Sequence, residues 1–353
     1  MQKNSLPPIY GFTLLRNGVK YDYSFKECLR SLANITRCTY LALGASDDGT
    51  EKAVEGFEFL RKIPTVWDES LKEGAIILSQ QTNIALHEAQ KNHRHETGAW
   101  GIYLQCDEVL HHEDYALIIE DIKKAEAQGC DVMRFRYLHF WLDHQHIAIN
   151  KKWYPQEIRA IKLDSNIESW GDAQSFKNYH KAYESEARVF HYGHVREADS
   201  YKNKKNDILK LYHTAEKMNK YKRRERRYDK QTECLYFLGD HPREMKERIL
   251  RFGDIWQSEA VENIYILGSP LLFTESMKTK INAKNIHWVK SLREVPKADR
   301  KKTIIFAPNF FHKLFYKSNM PSQMRSKLAR AWSNDFILML KLSEKGIGLK
   351  ATI

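Results

Sequence analysis

Two short apolar runs, Ile9-Tyr10-Gly11-Phe12-Thr13-Leu14 and Tyr40-Leu41-Ala42-Leu43-Gly44, limit this chain's choice of fold more than any other feature. Runs of this length bounded by turn residues read as strands. Between them, Ser24 to Leu32 carries apolar residues at helical spacing, and the second run breaks at Ser46-Asp47-Asp48-Gly49-Thr50. Strand, helix, strand is the unit that opens a parallel sheet. The chain is therefore expected to be an α/β protein.

The same alternation continues. Ile63 to Trp67 reads as a third strand, Thr82 to Lys91 as a helix and Gly101-Ile102-Tyr103-Leu104-Gln105 as a further strand. Tyr115 to Gln128 reads as a helix stopped by Gly129, and Asp131 to Tyr137 as the strand after it. Short strand signals follow at Ile158 to Ile161 and Arg188 to His191, and the pattern restarts after Tyr236 with strands at Ile264 to Gly268, Ile286 to Val289 and Thr303 to Ala307. In such sheets, ligands bind at the carboxyl ends of the strands.

A length of 353 residues suggests two domains. No run reaches the ~18 apolar residues of a spanning helix, and the first eight residues carry no export signal. The five cysteines include no CxxC pair and are odd in number, which fits free thiols in a reducing cytoplasm. The net charge of +12 attracts anionic partners such as a nucleotide diphosphate, anionic lipid or nucleic acid, without choosing among them.

Carboxylates follow two of the apolar strands: Asp47-Asp48-Gly49-Thr50, and then Asp107-Glu108 after Gln105. A later acidic loop, Trp170-Gly171-Asp172-Ala173-Gln174, and a closing segment, His191-Tyr192-Gly193-His194-Val195-Arg196, complete an ordered set. Each piece alone is ordinary, since an Asp-Asp-Gly turn is commonly just a tight turn and Asp107-Glu108 can be read as preceding the helix near Glu113. In this order they resemble the family-2 glycosyltransferases, over about residues 9–201.

That resemblance implies a GT-A fold, a Rossmann-like, mostly parallel central sheet with flanking helices. It implies domains at 1–200 for the transferase, 201–233 for a basic helical linker and 234–353 for a small α/β region with no assigned role. The nucleoside and diphosphate fall to Thr13, Arg16, Asp47, Asp48, Gln105 and Arg196. The family's Asp-x-Asp metal motif falls on Gln105-Cys106-Asp107, so Gln105 replaces its first carboxylate. Asp107 is then the motif's single carboxylate for Mg²⁺ or Mn²⁺, with His191 or His194 completing the shell. Neighbouring residues of an extended segment face opposite ways, which keeps Glu108 off the same ion. Asp172 corresponds to the general base of inverting members, with Glu168 as its rival.

The donor implied is a nucleotide diphosphate sugar, used as co-substrate, and the acceptor a glycan or lipid-linked hydroxyl of envelope or surface polysaccharide synthesis. His139, Trp141, His144, His146, Trp153 and Tyr154 lie between the metal motif and the base, where family members build the acceptor site. The densest basic run, Lys220 to Lys230, reads first as a solvated helix face, then as a peripheral contact with an anionic inner-membrane surface, and third as a nucleic-acid contact. The Gln-x-x-Arg-Trp motif of processive members is absent, which implies a non-processive enzyme. Two alternatives stay open: a nucleotidyltransferase, and a GT-A-like binding protein that has lost catalysis through Gln105. The sequence leaves oligomeric state and the identity of the sugar unassigned.

Overall fold

The computed structural model describes residues 7–68, 71, 75–144, 146–148, 153–196, 234–237, 240–252, 261–268, 283–289, 304–307 and 347–351. The basic run at 220–230 and the expected linker at 201–233 lie outside the described residues. The chain forms two compact units. One takes the described residues of 1–139, 154–230 and 242–248, and the other those of 140–153, 231–241 and 249–353. Residues 140–153 thus cluster with the second unit.

In the first unit, β1 (Ile9–Leu15) is buried along its whole length and pairs in parallel with β2 (Thr39–Gly44) and β4 (Trp100–Tyr103). Outside β2, β3 (Leu60–Thr65) continues the parallel set. On the other side the pairing turns antiparallel, from β4 to β8 (Gln156–Lys162) and from β8 to β6 (Val132–Trp141). The α/β architecture with a Rossmann-like parallel centre is the one expected.

β1 alternates between two cores. Tyr10, Phe12 and Leu14 pack with Ala85, Leu86 and Ala89 of α3 (Ile76–His93), while Ile9 packs with Cys28 and Leu32 of α1 (Phe25–Ala33) and with Ile118 and Ile122 of α4 (Tyr115–Ala127). Helices therefore cover both faces, which is why the strand is apolar without alternation. The Gly129 stop is realised in full: at φ 68° it donates to Glu126 O at 2.9 Å while Cys130 donates to Ala125 O at 2.8 Å, closing the last turn of α4.

Two strands differ from the expected spans. β3 runs Leu60–Thr65 rather than 63–67, because its span is set by pairing with β2 from Thr39 to Gly44; Pro64, which lacks an N–H, is tolerated opposite Leu43 because β3 is at the edge. β4 ends at Tyr103 rather than Gln105, because Leu104 leaves the ladder and its carbonyl accepts from Thr13 Oγ1 at 2.6 Å. Gln105-Cys106-Asp107 is consequently on a turn, not on a strand end. After that turn, β5 (Glu108–Leu110) pairs antiparallel with β11 (Ala182–His194), a strand far longer than the sequence signal at 188–191.

The second unit holds parallel β13 (Val261–Gly268), β14 (Ala283–Val289) and β15 (Ile304–Ala307), as the restarted pattern predicts. Antiparallel β16 (Ile347–Ala351), β12 (Cys234–Phe237) and β7 (His146–Ala148) extend it. Of the cysteines, Cys28, Cys38, Cys106 and Cys130 are free and buried. Among the described residues, no helix is long and apolar enough to cross a membrane.

Candidate active site

The turn after β4 is closed by Glu108 N donating to Gln105 O at 2.9 Å and Gln105 N donating to Glu108 Oε2 at 3.0 Å. Asp107, only 6% exposed, projects toward β11. Its Oδ1 lies 3.7 Å from His191 Nε2 and its Oδ2 lies 3.4 Å from Arg196 Nη2. The ladder that sets His191 opposite Glu108 brings the ring there, and Tyr192 N donates to Asp107 O at 2.8 Å. Gly193 packs closely on the pair: a Cβ built on it would lie 2.9 Å from Asp107 Oδ2 and closer still to His191 Nε2, so only glycine lets the two side chains sit as they do.

Glu108, the first residue of β5, has different partners from Asp107. It is fully buried and held by Arg159 through Nε to Oε2 at 3.0 Å and Nη2 to Oε1 at 2.9 Å, with the Tyr137 hydroxyl donating to Oε1 at 2.8 Å. The Arg159 guanidinium also lies 5.1 Å from the ring centres of both Tyr103 and Tyr137. A bidentate guanidinium with added hydrogen bonds is the geometry that makes a buried pair tolerable. Arg159 and Glu108 thus form the rigid base on which Asp107 is mounted, a role the sequence did not disclose because the two are separated by half a domain.

Arg196 is buried, donates from Nη1 to Tyr21 O at 2.7 Å and from Nη2 to Gly193 O at 2.5 Å, and lies over the Tyr23 ring at 4.8 Å. It ties the end of β11 to the loop after β1 and to Asp107. His194 lies one residue beyond Gly193, its ring centre 6.0 Å from that of His191 and nearly perpendicular to it. Gln105 is half-buried on the turn, and its carbonyl also takes the Cys28 thiol at 3.4 Å.

At the carboxyl ends of β1 and β2, the Asp-Asp-Gly turn locks against the loop after β1. Asp48 accepts from Lys20 N at 2.6 Å and from Thr50 N at 2.9 Å. Burial opposes the ionised form of Asp48, but these amides outweigh it and hold the carboxyl below its usual range. Asn17 N donates to Ser46 Oγ at 3.0 Å and Val19 N to Thr50 Oγ1 at 3.1 Å. Asp47 is exposed. Thr13 is buried under the site, between Leu104 O and Cys106 Sγ.

Arg16 stacks on Trp67, with its guanidinium carbon 5.3 Å from the ring centre. Both crowd Gly44, where a Cβ would meet Trp67 Nε1 at 2.5 Å and Arg16 Cβ at 3.0 Å. Buried Arg16 Nε, Trp67 Nε1 and Thr65 Oγ1 have no hydrogen-bond partner among the described residues. Trp67, absent from the sequence-based site, lies past the end of a strand whose span was misplaced.

Asp172 sits on the turn between β9 (Glu168–Trp170) and β10 (Ser175–Lys177), where Gly171 at φ 63° and Ala173 at φ 62° bend the chain. The hairpin is anchored by Arg159, whose Nη1 donates to Gln174 O at 3.0 Å. Glu157 lies close enough that Asp172 contributes to its raised pKa, after burial as the main cause, Arg159 acting the opposite way, and Glu108. Glu168 pairs across the hairpin with Lys177 at 3.2 Å and is 39% exposed on its side chain.

The aromatic and histidine cluster divides between the two units. His139, 2% exposed, stacks on Tyr137 and meets Tyr154 edge-on, with its Nε2 2.8 Å from Tyr154 O and its Nδ1 2.9 Å from His191 Nδ1. Burial is the main cause that pushes its pKa well down, and His191 adds to it. Trp141, Trp153 and His144 belong to the second unit, the two indoles 5.4 Å apart; the His146 side chain lies outside the described residues.

Among the described residues, no group of three His, Cys, Asp or Glu side chains surrounds one point. Asp107 and His191 offer one carboxylate and one imidazole nitrogen 3.7 Å apart, donors of the kind Mg²⁺ or Mn²⁺ accepts. Mg²⁺ characteristically takes few protein ligands and completes its shell with water and substrate phosphate.

The chain matches no protein-family profile and no curated protein. Among solved structures it is similar to S. aureus TarS 1-349, at 11% identity and a TM-score of 0.33, over 58% of this chain and 65% of that one. It is also similar to HddC from Yersinia pseudotuberculosis, at 13% identity and a TM-score of 0.30, over 56% of this chain and 99% of that one. The chain thus spans just under two thirds of the TarS chain, and at these scores neither likeness says what it binds.

Proposed function

We propose that the chain is a non-processive, metal-assisted glycosyltransferase that moves a sugar from a nucleotide diphosphate donor to an acceptor hydroxyl with inversion. The observation that carries this reading is the pairing of Asp107 with His191 at 3.7 Å, on the turn that follows β4 at the carboxyl end of the parallel strands. Arg16, Asp47 and Trp67 would line the nucleoside end, where the buried Arg16 Nε and Trp67 Nε1 have no hydrogen-bond partner among the described residues. Asp107 and His191 would hold a divalent cation that neutralises the diphosphate leaving group.

Asp172 takes the proton of the acceptor hydroxyl as its oxygen bonds to the anomeric carbon, and the bond from that carbon to the diphosphate breaks on the opposite side. Arg159 supports this arrangement by gripping Glu108, next to Asp107, and Gln174, two residues from Asp172. Glu168 is the weaker candidate base because it is half-exposed and paired with Lys177. A glycan or lipid-linked acceptor remains part of this proposal.

A thermal-shift screen of nucleoside diphosphates and their sugars, with and without Mn²⁺, tests the reading, since a ligand that binds only the folded state raises apparent stability. Stabilisation by at least one nucleotide that requires Mn²⁺ and vanishes in Asp107→Asn is the expected result. No nucleotide response under any condition, from a folded protein, overturns it.

A further inference from the structure

Two buried arginines grip successive carbonyls of the loop after β1. Arg196 donates to Tyr21 O at 2.7 Å, and Arg248 Nη2 donates to Asp22 O at 2.6 Å. The same Nη2 lies 2.8 Å from Asp22 Oδ2, with the Arg248 side chain 4% exposed and that of Asp22 15%. Asp22 stands at φ 47°, in the left-handed region that non-glycine residues seldom enter and Asp tolerates better than most. A backbone conformation of that kind persists where the surrounding contacts fix it. Arg248 engages both the carbonyl and the carboxylate of that one residue.

The same loop is bonded upstream to the Asp-Asp-Gly turn, through Val19 N to Thr50 Oγ1 and Lys20 N to Asp48 Oδ2. Asp22 N donates to Val19 O at 3.0 Å and Tyr23 N to Gly18 O at 2.9 Å, which closes the loop on itself. A displacement at Asp22 is thereby passed to Val19 and Lys20. Arg248 itself lies outside residues 9–201, the stretch that carries the family resemblance. It sits on a short helix, Lys246–Arg251, preceded by a turn at Arg243–Met245. Met245 is fully buried, Asn34 Nδ2 donates to Glu244 Oε1 at 2.9 Å, and Arg243 N donates to His112 Nδ1 at 3.3 Å. The end of α1 and the turn before α4 thus present Arg248 from a fixed base.

We propose that Arg248 is a positioning residue for the donor site: by holding Asp22 it keeps the loop after β1 against the Asp47-Asp48 turn in the shape that receives a nucleoside diphosphate. Its effect on donor binding rests on the proposed transferase reading; its hold on the loop does not.

Amide hydrogen exchange of the full-length protein, read by mass spectrometry, tests the hold. In Arg248→Met, peptides covering residues 17–24 should exchange about 10–100-fold faster, the equilibrium worth of a charge-assisted hydrogen bond, while those of α3 and β4 keep their wild-type rates. Arg248→Lys keeps a cationic donor for Asp22 and should recover most of the protection. Glu247→Gln removes only an exposed approach to Arg30 at 3.8 Å and should change nothing. The second readout is calorimetric affinity for whichever of UDP, GDP, CDP and ADP, with Mn²⁺, stabilises wild type most. It should weaken about tenfold in Arg248→Met, the cost of ordering a loop that is no longer held, and stay near wild type in Glu247→Gln.

Unchanged exchange at 17–24 in folded Arg248→Met overturns the proposal, as does a uniform acceleration across the whole chain. Local loosening with unchanged nucleotide affinity overturns the positioning role. Local loosening in a protein whose wild type binds none of the four nucleotides upholds the hold and overturns the transferase reading alone. If Arg248→Met does not fold, Arg248→Lys and Asp22→Asn decide by the same two readouts, since Asp22→Asn removes the ion pair and leaves the carbonyl contact.

Discussion

His191 stands opposite Glu108 in the antiparallel pairing of β5 with β11, and that register places its ring beside Asp107. A slip of one residue would turn His191 to the opposite face and present Phe190 or Tyr192 to the carboxylate instead. Glu108 is itself clamped by Arg159, so the register is fixed from both sides of the turn.

Gly193→Ala tests the close packing on the two ligands. Gly193 is not in the left-handed region, so alanine is conformationally allowed there. Its Cβ would nevertheless crowd both Asp107 Oδ2 and His191 Nε2. Overpacking of this kind costs about 1–3 kcal/mol. The expected outcome is a folded protein, modestly destabilised in urea, that binds Mn²⁺ at least about tenfold more weakly, in line with the loss of one supporting contact. Wild-type Mn²⁺ affinity in the folded variant would show that the ion does not sit there.

The two candidate bases separate by substitution. Asp172→Asn keeps the size of the side chain and the turn, and should lower kcat about 10²–10⁴-fold with little change in donor KM. Glu168→Gln loses part-exposed pairs with Lys177 and His87, and should leave both constants near wild type. Steady-state kinetics with a responsive donor and acceptor checks this; the reverse ranking would move the base to Glu168.

Breaking the Arg159–Glu108 pair from one side should be costly. Either Arg159→Leu or Glu108→Leu strands a buried charge, at about 3–5 kcal/mol, whereas the double substitution removes both charges and should cost less than the sum. Urea denaturation of the four proteins measures the coupling. Additive losses would mean that Arg159 and Glu108 are not each other's principal partners.

The sequence disclosed the parts whose signal is local. The apolar runs of β1 and β2 and the Gly129 stop of α4 follow from short-range rules, and the structure has them. What escaped depends on pairings between distant segments. Arg159 inside an apolar strand signal gives no hint that it will meet Glu108, and β5 is too short at Glu108–Leu110 to declare itself. Trp67 was placed inside a strand that the pairing with β2 ends at Thr65, so its packing on Arg16 was not legible. The resemblance named His191 or His194 as a ligand; the β5–β11 register is what brings His191 beside Asp107.

Behind the site, His111 gives the fold a pH dependence of definite sign. Its pKa is pushed down from 6.5 to about 4, by burial first and then by Arg188, with His112 adding to the shift and Asp114 and Glu113 opposing it. Glu113 N donates to His111 Nδ1 at 3.3 Å, which requires that nitrogen to be bare; the approach of Glu113 Oε2 at 3.5 Å becomes an ion pair only after protonation. The neutral ring thus caps the turn His112–Asp114. As pH falls below 6.5 the unfolded chain takes up a proton that the folded chain refuses until about 4, so stability declines across that window and is flat above it with respect to this group. His111→Asn retains a side chain suited to capping and removes the titration. Urea midpoints between pH 7.5 and pH 4.5 should therefore fall more steeply for wild type than for His111→Asn, and parallel profiles would assign the acid sensitivity to other groups.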